Sequence, residues 1–398
     1  MKRPSRIAIF LFVVFALALG TRLAAAVFIF RNYFPPQLLF VQNEPSHIAT
    51  ALIAGRGFSS PYANVPVAPT AQQPPLYPLI LAGIFKVFGV RTTASAWAAV
   101  ALNILAGALT AVFLYFLGIF YFGETVGMLA AGIWVLPWMY RSLAFSSSLS
   151  SPYLAALAMT GLLLLLPKAV KKNNGWFALG IYAGLMLMLQ PAFLSVLFLY
   201  AIWLAWSPTR SPKMLLSLAA LLLVVAPWTV RNCVQLGRLI PIRDDFGLEL
   251  WLGNRPGMQG TADYNGDFPD HDPSTYARLG ELPFMHAKLK QATDFILSDP
   301  LAFCERCLKR AVEFWYIPYS PAWISISVIG WIGAILAWRK GGMGILLAIP
   351  LVAFPLVFYI THNFPTYRHP IDPVIILLAA FAVVELKTWV RSRLAIQS

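Results

Sequence analysis

The sequence predicts an all-α polytopic membrane protein: about ten transmembrane helices, interfacial helices in the first outer loop, and a small outer-face insert. Three observations predict it. Hydrophobic residues fill 59% of 398 positions and charged residues only 12%, whereas a water-soluble chain is about 25% charged. Apolar runs of spanning length recur from end to end. Lys and Arg gather in short loops between those runs. A soluble enzyme, a disordered chain and a disulfide-rich secreted module are excluded. The net charge of +14 reads as the basic cytoplasmic loops of a membrane protein, not as a nucleic-acid surface, and no nucleic-acid module is present.

The chain opens MKRPSR and then runs apolar over 7–30. A cleavable signal has an apolar core of only about 7–15 residues, so this run is the first span. Arg22 interrupts it near the far end, where it can snorkel or serve a site. The first outer loop follows over 31–94. Within it NEPSHIATALIAGRG reads as an amphipathic helix. Asn43 caps it, Pro45 suits its first turn, and Gly55 or Gly57 ends it. Ile48 and Leu52 share a face at i,i+4, as an interfacial helix requires.

Further apolar segments cover 76–89, 95–121, 125–145, 150–167, 175–191, 192–206, 214–230, 320–338, 344–360 and 370–386. The clusters Lys168/Lys171/Lys172, Arg210/Lys213, Arg339/Lys340 and Lys387/Arg391/Arg393, with Lys2, Arg3 and Arg6, hold 13 of the 30 basic residues. The positive-inside rule places all of them in the cytoplasm. With the N-terminus inside, an odd number of spans must separate the first span from Lys168, yet four apolar segments do. The segment 76–89 is the one that does not cross. It is short, follows Pro74 and Pro75, and carries Pro78 and Lys86, so it lies in or dips into the outer interface. The rest alternate to give both termini inside. Three regions result: a membrane core over 1–230, an outer insert over 231–310 and C-terminal spans over 311–398. Cys233, Cys304 and Cys307 are an odd set, and two cysteines one helical turn apart suit free thiols better than a disulfide.

Of 16 carboxylates, 11 fall in the insert between Asp244 and Glu305. Glu124 and Glu385 read as inside, and Glu313 lies where the chain re-enters the membrane. Glu44 and Asp372 are left as outer-face acids near the membrane core. All five histidines, His47, His271, His286, His362 and His369, also fall outside. Glu44 is a candidate general base; the plainer alternative is an acid favoured by the positive end of its helix. His47 is a candidate contact or a satisfied interfacial histidine. Asp372 either serves a site or caps the last span. Arg231 and Arg368 stand at outer helix ends as candidate phosphate ligands or headgroup anchors. The polar loop around Arg141 carries no acid. His271 with Asp270 and Asp272 can bind a cation or be a solvated loop. No HExxH, P-loop, dinucleotide fingerprint or GxSxG is present.

The order of these pieces resembles the GT-C superfamily of membrane glycosyltransferases, and more closely its branch of protein O-mannosyltransferases and lipid A aminoarabinose transferases. QNEPSHIATALIAGRGFSSP is similar to the acidic motif and helix after the first span. AQQPPLYPLILAGIFKVFG is similar to the Pro-Pro-Leu-Tyr-Pro interfacial helix. APWTVRNCVQLGRLIP with GLELWLGN resembles the exit into the outer domain, and YRHPIDP the element before a late span. The resemblance implies transfer of a sugar from a polyprenyl-phosphate carrier to a glycolipid, polysaccharide or protein acceptor at the outer face of a bacterial cytoplasmic membrane. It implies inversion at the sugar carbon and a base on the first outer loop. Members often read Asp-Glu where this chain reads Asn43-Glu44, so Glu44 supplies the carboxylate. Asn43, His47, Gln73, Tyr77, Arg231, Arg368, His369 and Asp372 are the expected substrate contacts. Gln73 replaces the usual Lys or His before Pro-Pro, and Ser151 stands near the place of a second acid. A divalent metal could assist, with no ligand set assigned. The competing readings are a transporter of a lipid-linked sugar and an inactive family member with a binding role.

Overall fold

The computed structural model describes residues 6–41, 43–63, 65–136, 149–208, 210–258, 273–316 and 321–397. Among these residues all regular structure is helical, with one isolated bridge between Ser59 and Pro69. The first span is α1 (Arg6–Asn32). The outer loop after it contains α2 (Glu44–Ile53) and the 13-residue α3 (Leu76–Phe88). Then come α4 (Thr93–Tyr121), α5 (Glu124–Val135), α6 (Pro152–Lys172), α7 (Trp176–Leu189), α8 (Phe193–Trp206) and α9 (Met214–Leu236). The outer segment holds α10 (Phe246–Asn254), α11 (Pro273–Leu279), α12 (Glu281–Ser298) and α13 (Pro300–Tyr316). The chain finishes with α14 (Pro321–Arg339), α15 (Ile345–Ala353), α16 (Leu356–Ile360) and α17 (Asp372–Gln397).

Among the described residues, seven stretches are long and apolar enough to cross a bilayer: α1, α4, α6, α9, α14, Gly342–Ile360 and Thr366–Leu394. The chain is an integral membrane protein. Three other expected spans are present as the shorter apolar helices α5, α7 and α8, and α3 is also too short to meet the criterion. The expected loop around Arg141 and the expected His271 cluster lie outside the described residues.

Local chemistry sets the helix ends. The Thr92 side chain accepts the Ser95 N–H at 3.1 Å and starts α4, satisfying one orphan donor of the first turn. Asn173 takes a left-handed conformation (φ 45°) and stops α6 directly after its two terminal lysines. Packing depends on small residues where backbones meet. A Cβ on Gly118 would strike the backbone of Gly127, so α4 and α5 touch main chain to main chain, as membrane helices do where side chains vanish.

The first turns of α17 are buried continuously from Asp372 to Ala382, and this helix packs along α14 and α5 at the centre of the molecule. At the periphery α1 and α9 turn large apolar side chains outward, including Phe12, Leu17, Leu215 and Leu223, as lipid-facing helices must. Arg22 does not snorkel. It is fully buried, donates to the carbonyls of Ala18 (3.0 Å) and Trp134 (3.3 Å), and lies over the rings of Trp134 and Tyr153. Gly107 makes its space, because a Cβ there would collide with the guanidinium.

The outer segment has a small core of its own: Leu248, Leu252, Tyr276, Phe284 and Met285. Tyr62 and Val65 of the first outer loop pack against it. Helix α9 runs unbroken through 230–231 and α13 through 310–311, so neither expected boundary coincides with a break in the backbone. The three cysteines are free.

Candidate active site

The site is built on the start of α2. The Asn43 side chain accepts the Ser46 N–H at 2.9 Å, and its amide donates to the Leu149 carbonyl at 2.7 Å. One residue thus caps the helix and ties the loop after α1 to the segment before α6. Glu44 is the first residue of α2, where the positive helix end favours a carboxylate. Its Oε1 accepts from Gln72 Nε2 at 3.1 Å, and its Oε2 accepts from Gln73 Nε2. Gln72 also donates to the hydroxyl of Tyr62. Burial and the nearby Glu44 carboxylate push the Tyr62 phenol well above its ordinary value, so this hydroxyl stays protonated.

The stretch that presents the two glutamines is held by the outer segment. Arg231 donates to the carbonyls of Thr70 (2.7 Å) and Phe58 (2.6 Å). The Glu281 carboxylate accepts from the Thr70 hydroxyl, the Ala71 N–H (2.6 Å) and the Tyr276 hydroxyl (2.7 Å). The Asp244 N–H donates to the Ala71 carbonyl at 2.9 Å, and Arg243 Nε donates to the Gln72 carbonyl at 3.2 Å. Burial raises the Glu281 carboxyl above the usual range, partly opposed by the hydrogen bonds it accepts.

A cavity of about 760 Å³ opens beside this assembly. Its polar end carries Gln73, Arg243, Asp245 and Glu249; its apolar wall carries Leu194 and Phe198 of α8 with Val357 and Phe358 of α16. Ser150 and Ser151, just before α6, line another side with Pro152 and Ala155 of that helix. Arg243 pairs with Asp245 and lies 3.3 Å from Glu249 Oε1. Glu249 Oε2 is 3.0 Å from His362 Nδ1, whose other nitrogen is 3.1 Å from the Tyr367 hydroxyl. Gly253 lets this happen: a Cβ there would collide with the Thr361 carbonyl and push α10 off the loop that carries His362.

The sequence-predicted residues divide. Glu44, Asn43 and Gln73 come together, and Gln73 reaches the cavity wall with Glu44 one hydrogen bond behind it. Arg231 joins the same region, but its Nη1 and Nη2 donate to the Thr70 and Phe58 carbonyls and to Asn232 Oδ1, and its guanidinium lies 4.9 Å from the centroid of the Trp228 ring. Arg368 does not reach the cavity. It is buried and pairs with Asp372 (2.8 Å), donates to Ser327 Oγ (2.9 Å) and the Trp315 carbonyl (3.1 Å), and lies 4.4 Å from the centroid of Trp323. His369 packs on Tyr153 and Trp134, with Nδ1 3.2 Å from Asp372. Asp372 is therefore the counter-ion of Arg368, while the neighbouring Tyr367 and Pro370 face the cavity. His47 turns to Arg91, whose Nη2 is 2.6 Å from its Nδ1. Burial first, then the Arg91 charge, lowers its pKa. Tyr77 is buried in the helical core and lies off the cavity lining.

Sequence reasoning missed Arg243, Glu249 and His362. Arg243 lies in PIRDDF, where one cation beside two acids looks self-neutralised, and Glu249 is one of 11 acids in a segment without a motif. Among the described residues no three His, Cys, Asp or Glu side chains converge as metal ligands. Glu44 faces amide donors and Asp245 faces Arg243.

Comparison with known proteins supports this architecture. Residues 72–230 match the dolichyl-phosphate-mannose-protein mannosyltransferase family model. No curated protein matches the chain by sequence. The archaeal oligosaccharyltransferase AglB from Archaeoglobus fulgidus, in complex with an inhibitory peptide and a dolichol-phosphate, superposes with a TM-score of 0.54 at 12% identity over 97% of this chain and 51% of its own. The Archaeoglobus fulgidus oligosaccharyltransferase in complex with Zn and sulfate gives 0.55 at 14% identity, over 97% and 50%. The chain thus spans about half the length of these structures, and the likeness is one of fold. ArnT from Cupriavidus metallidurans, bound to undecaprenyl phosphate, matches 95% of this chain and 77% of its own, at 13% identity, with a TM-score of 0.39, too low to argue from. The family-model match over residues 72–230 and the fold shared with these oligosaccharyltransferases agree with the GT-C resemblance of the sequence motifs.

Proposed function

We propose that this protein transfers a sugar from a polyprenyl-phosphate carrier to an acceptor at the outer face of a bacterial cytoplasmic membrane, with Glu44 as the base. The observation that carries the reading is the placement of Glu44, one hydrogen bond behind the wall of a cavity that is apolar on one side and carries Arg243, paired with Asp245 and Glu249, at its polar end. The apolar wall of α8 and α16 suits a prenyl chain. Arg243 suits the phosphate, because a guanidinium forks to two phosphate oxygens. Orientation follows the basic loops, with both termini inside and the outer segment shaping the acceptor side.

In the reaction the acceptor hydroxyl attacks the anomeric carbon. The new carbon–oxygen bond forms as the carbon–phosphate oxygen bond breaks, and the acceptor proton passes to Glu44. The Gln73 amide must swing off Glu44 to admit the acceptor. The departing phosphate takes the bonding electrons, and Arg243 stabilises their charge as it exchanges carboxylate for phosphate contacts. One displacement inverts the carbon. A second reading of the base rests on one observation: Glu249 faces the cavity directly and is oriented by His362.

The test is complementation of a deletion strain with wild type, Glu44→Gln, Asn43→Ala and Glu249→Gln. Membrane levels are checked by blot, and glycans and glycolipids by mass spectrometry. Glu44→Gln is expected to lower one defined sugar addition by about 10²–10⁴-fold at normal protein level. Full activity in Glu44→Gln with loss in Glu249→Gln moves the base to Glu249. Full activity in both removes the enzymatic reading of this cavity.

A further inference from the structure

Helix α13 has its apolar face on the wrong side for a water-exposed domain. Leu301, Leu308 and Val312 fall within a narrow stripe of the helix and are 83%, 69% and 67% exposed. On the opposite face Arg310 and Phe314 are buried, while Glu305 and Lys309 are exposed at the edge of the stripe. Arg310 donates to the carbonyls of Gly253 (2.6 Å) and Tyr359 (2.8 Å) and to Asn254 Oδ1 (3.1 Å), and Phe314 beside it stacks on Phe358 at 13°.

Its depth follows from its contacts. Tyr359 is in the last turn of the Gly342–Ile360 span, so the middle of α13 sits level with the outer end of a membrane helix. Its last turn goes deeper. The Trp315 ring is 4.9 Å from that of Trp331. Arg368 bonds both the Trp315 carbonyl and the Ser327 hydroxyl. Ser327 lies about 9 Å, and Trp331 about 15 Å, along α14 from its outer end, at 1.5 Å per residue. Beside them Val328 and Ile332 of α14 are themselves exposed apolar residues of a spanning helix.

We propose that α13 is a helix of the outer leaflet, with Leu308 and Val312 against acyl chains and Leu301 at the headgroup boundary. The occupant of its apolar stripe is lipid, because the stripe continues the lipid-facing surface of α14 at the same depth. Lys309, exposed at the edge of the stripe, then stands where headgroup phosphates lie, while Arg306 lies over the Phe295 ring. The outer segment is thereby seated in the membrane. Phe358, which stacks on Phe314, also lines the cavity, so the lipid-embedded helix backs the cavity's apolar wall. This inference rests on the membrane reading of the chain and stands apart from its enzymatic activity.

The experiment uses the full chain in nanodiscs of phosphatidylethanolamine and phosphatidylglycerol, with the three native cysteines replaced by serine. A nitroxide is attached at a single cysteine in place of Leu308, Val312 or Lys290, and its collisions with oxygen and with a water-soluble nickel chelate are measured. Lys290 is the aqueous reference, with a side chain 70% exposed on α12. At positions 308 and 312 the oxygen-to-nickel ratio is expected to exceed that at 290 by at least five-fold. A ratio equal to that at 290 in either variant overturns the proposal. Exclusion of both reagents with dipolar broadening overturns it in favour of a second copy. Size exclusion reports folding, and either of the two stripe positions decides the question if the other variant misfolds.

Discussion

At the residue scale the clearest lesson is what each arginine does. Arg22, Arg231, Arg310 and Arg368 all direct donors at main-chain carbonyls. Each is a cross-link between segments, and its charge is balanced by carbonyl dipoles, an aromatic face or, for Arg368, Asp372. Arg243 also donates to a main-chain carbonyl, that of Gln72, but its other partners, Asp245 and Glu249, are on the cavity itself. Carboxylates can exchange for a phosphate without unmaking the fold. Arg243→Gln is therefore expected to lower transfer by about 10²–10³-fold, the loss typical of one donor to a developing oxyanion. Arg243→Lys should fall between, since it keeps charge without the fork. Initial rates in membranes at matched protein level check both. Equal activity of wild type and Arg243→Gln would move the phosphate elsewhere.

Elements come next, and the short stretch 70–73 is the decisive one. It forms no helix, yet Arg231, Arg243, Asp244 and Glu281 of the outer segment hold its polar groups. It is in effect a clamp that presents Gln72 and Gln73 to Glu44. Glu281→Ala breaks hydrogen bonds to a buried carboxylate and leaves three donors without an acceptor. A loss of about 3 kcal/mol follows, since bonds to charged groups are worth about 1.5–3 kcal/mol each and part is recovered by relaxation. A melting curve in detergent measures it. The pH dependence has a definite sign. The folded Glu281 carboxyl is raised above its unfolded value of 4.5, so the folded state binds the proton more tightly. Stability from this group falls as pH rises from 4.5 through the raised folded value, and Glu281→Gln should remove that slope.

On the scale of the whole molecule, charge sets orientation and packing sets the cavity. The basic loops at Lys171 and Lys340 should face the cytoplasm and α12 the exterior. In spheroplasts, a single cysteine replacing Lys290 should react with a membrane-impermeant maleimide, while one replacing Lys171 or Lys340 should react only after permeabilisation. Labelling of Lys171→Cys in intact spheroplasts would invert the topology and with it the face on which Glu44 works.

Much of this architecture is legible in the amino-acid sequence. Alternation of apolar runs and basic loops predicts a polytopic helical chain. Asn43 reads as a cap in sequence and is one in space. Glu44 stands out because few acids lie near the outer membrane face. Helical patterning marks the outer insert as well. It does not show that α13 turns its apolar stripe outward or that the insert clamps residues 70–73, because both depend on which face of a helix its distant neighbours cover.

What the sequence determined by itself is what depends on neighbours along the chain: hydropathy over a span, charge in a loop, a cap at a helix start. These act over a few residues or across one bilayer thickness. What only the tertiary structure decided is which polar side chains remain available to a substrate. Arg231 is spent on a carbonyl 161 residues away, and Arg243 is placed on the cavity by a fold that brings α6, α8, α10 and α16 together. Hydrogen-bond partners chosen across such separations leave no mark on local pattern, because the energy that selects them exists only once the helices have packed.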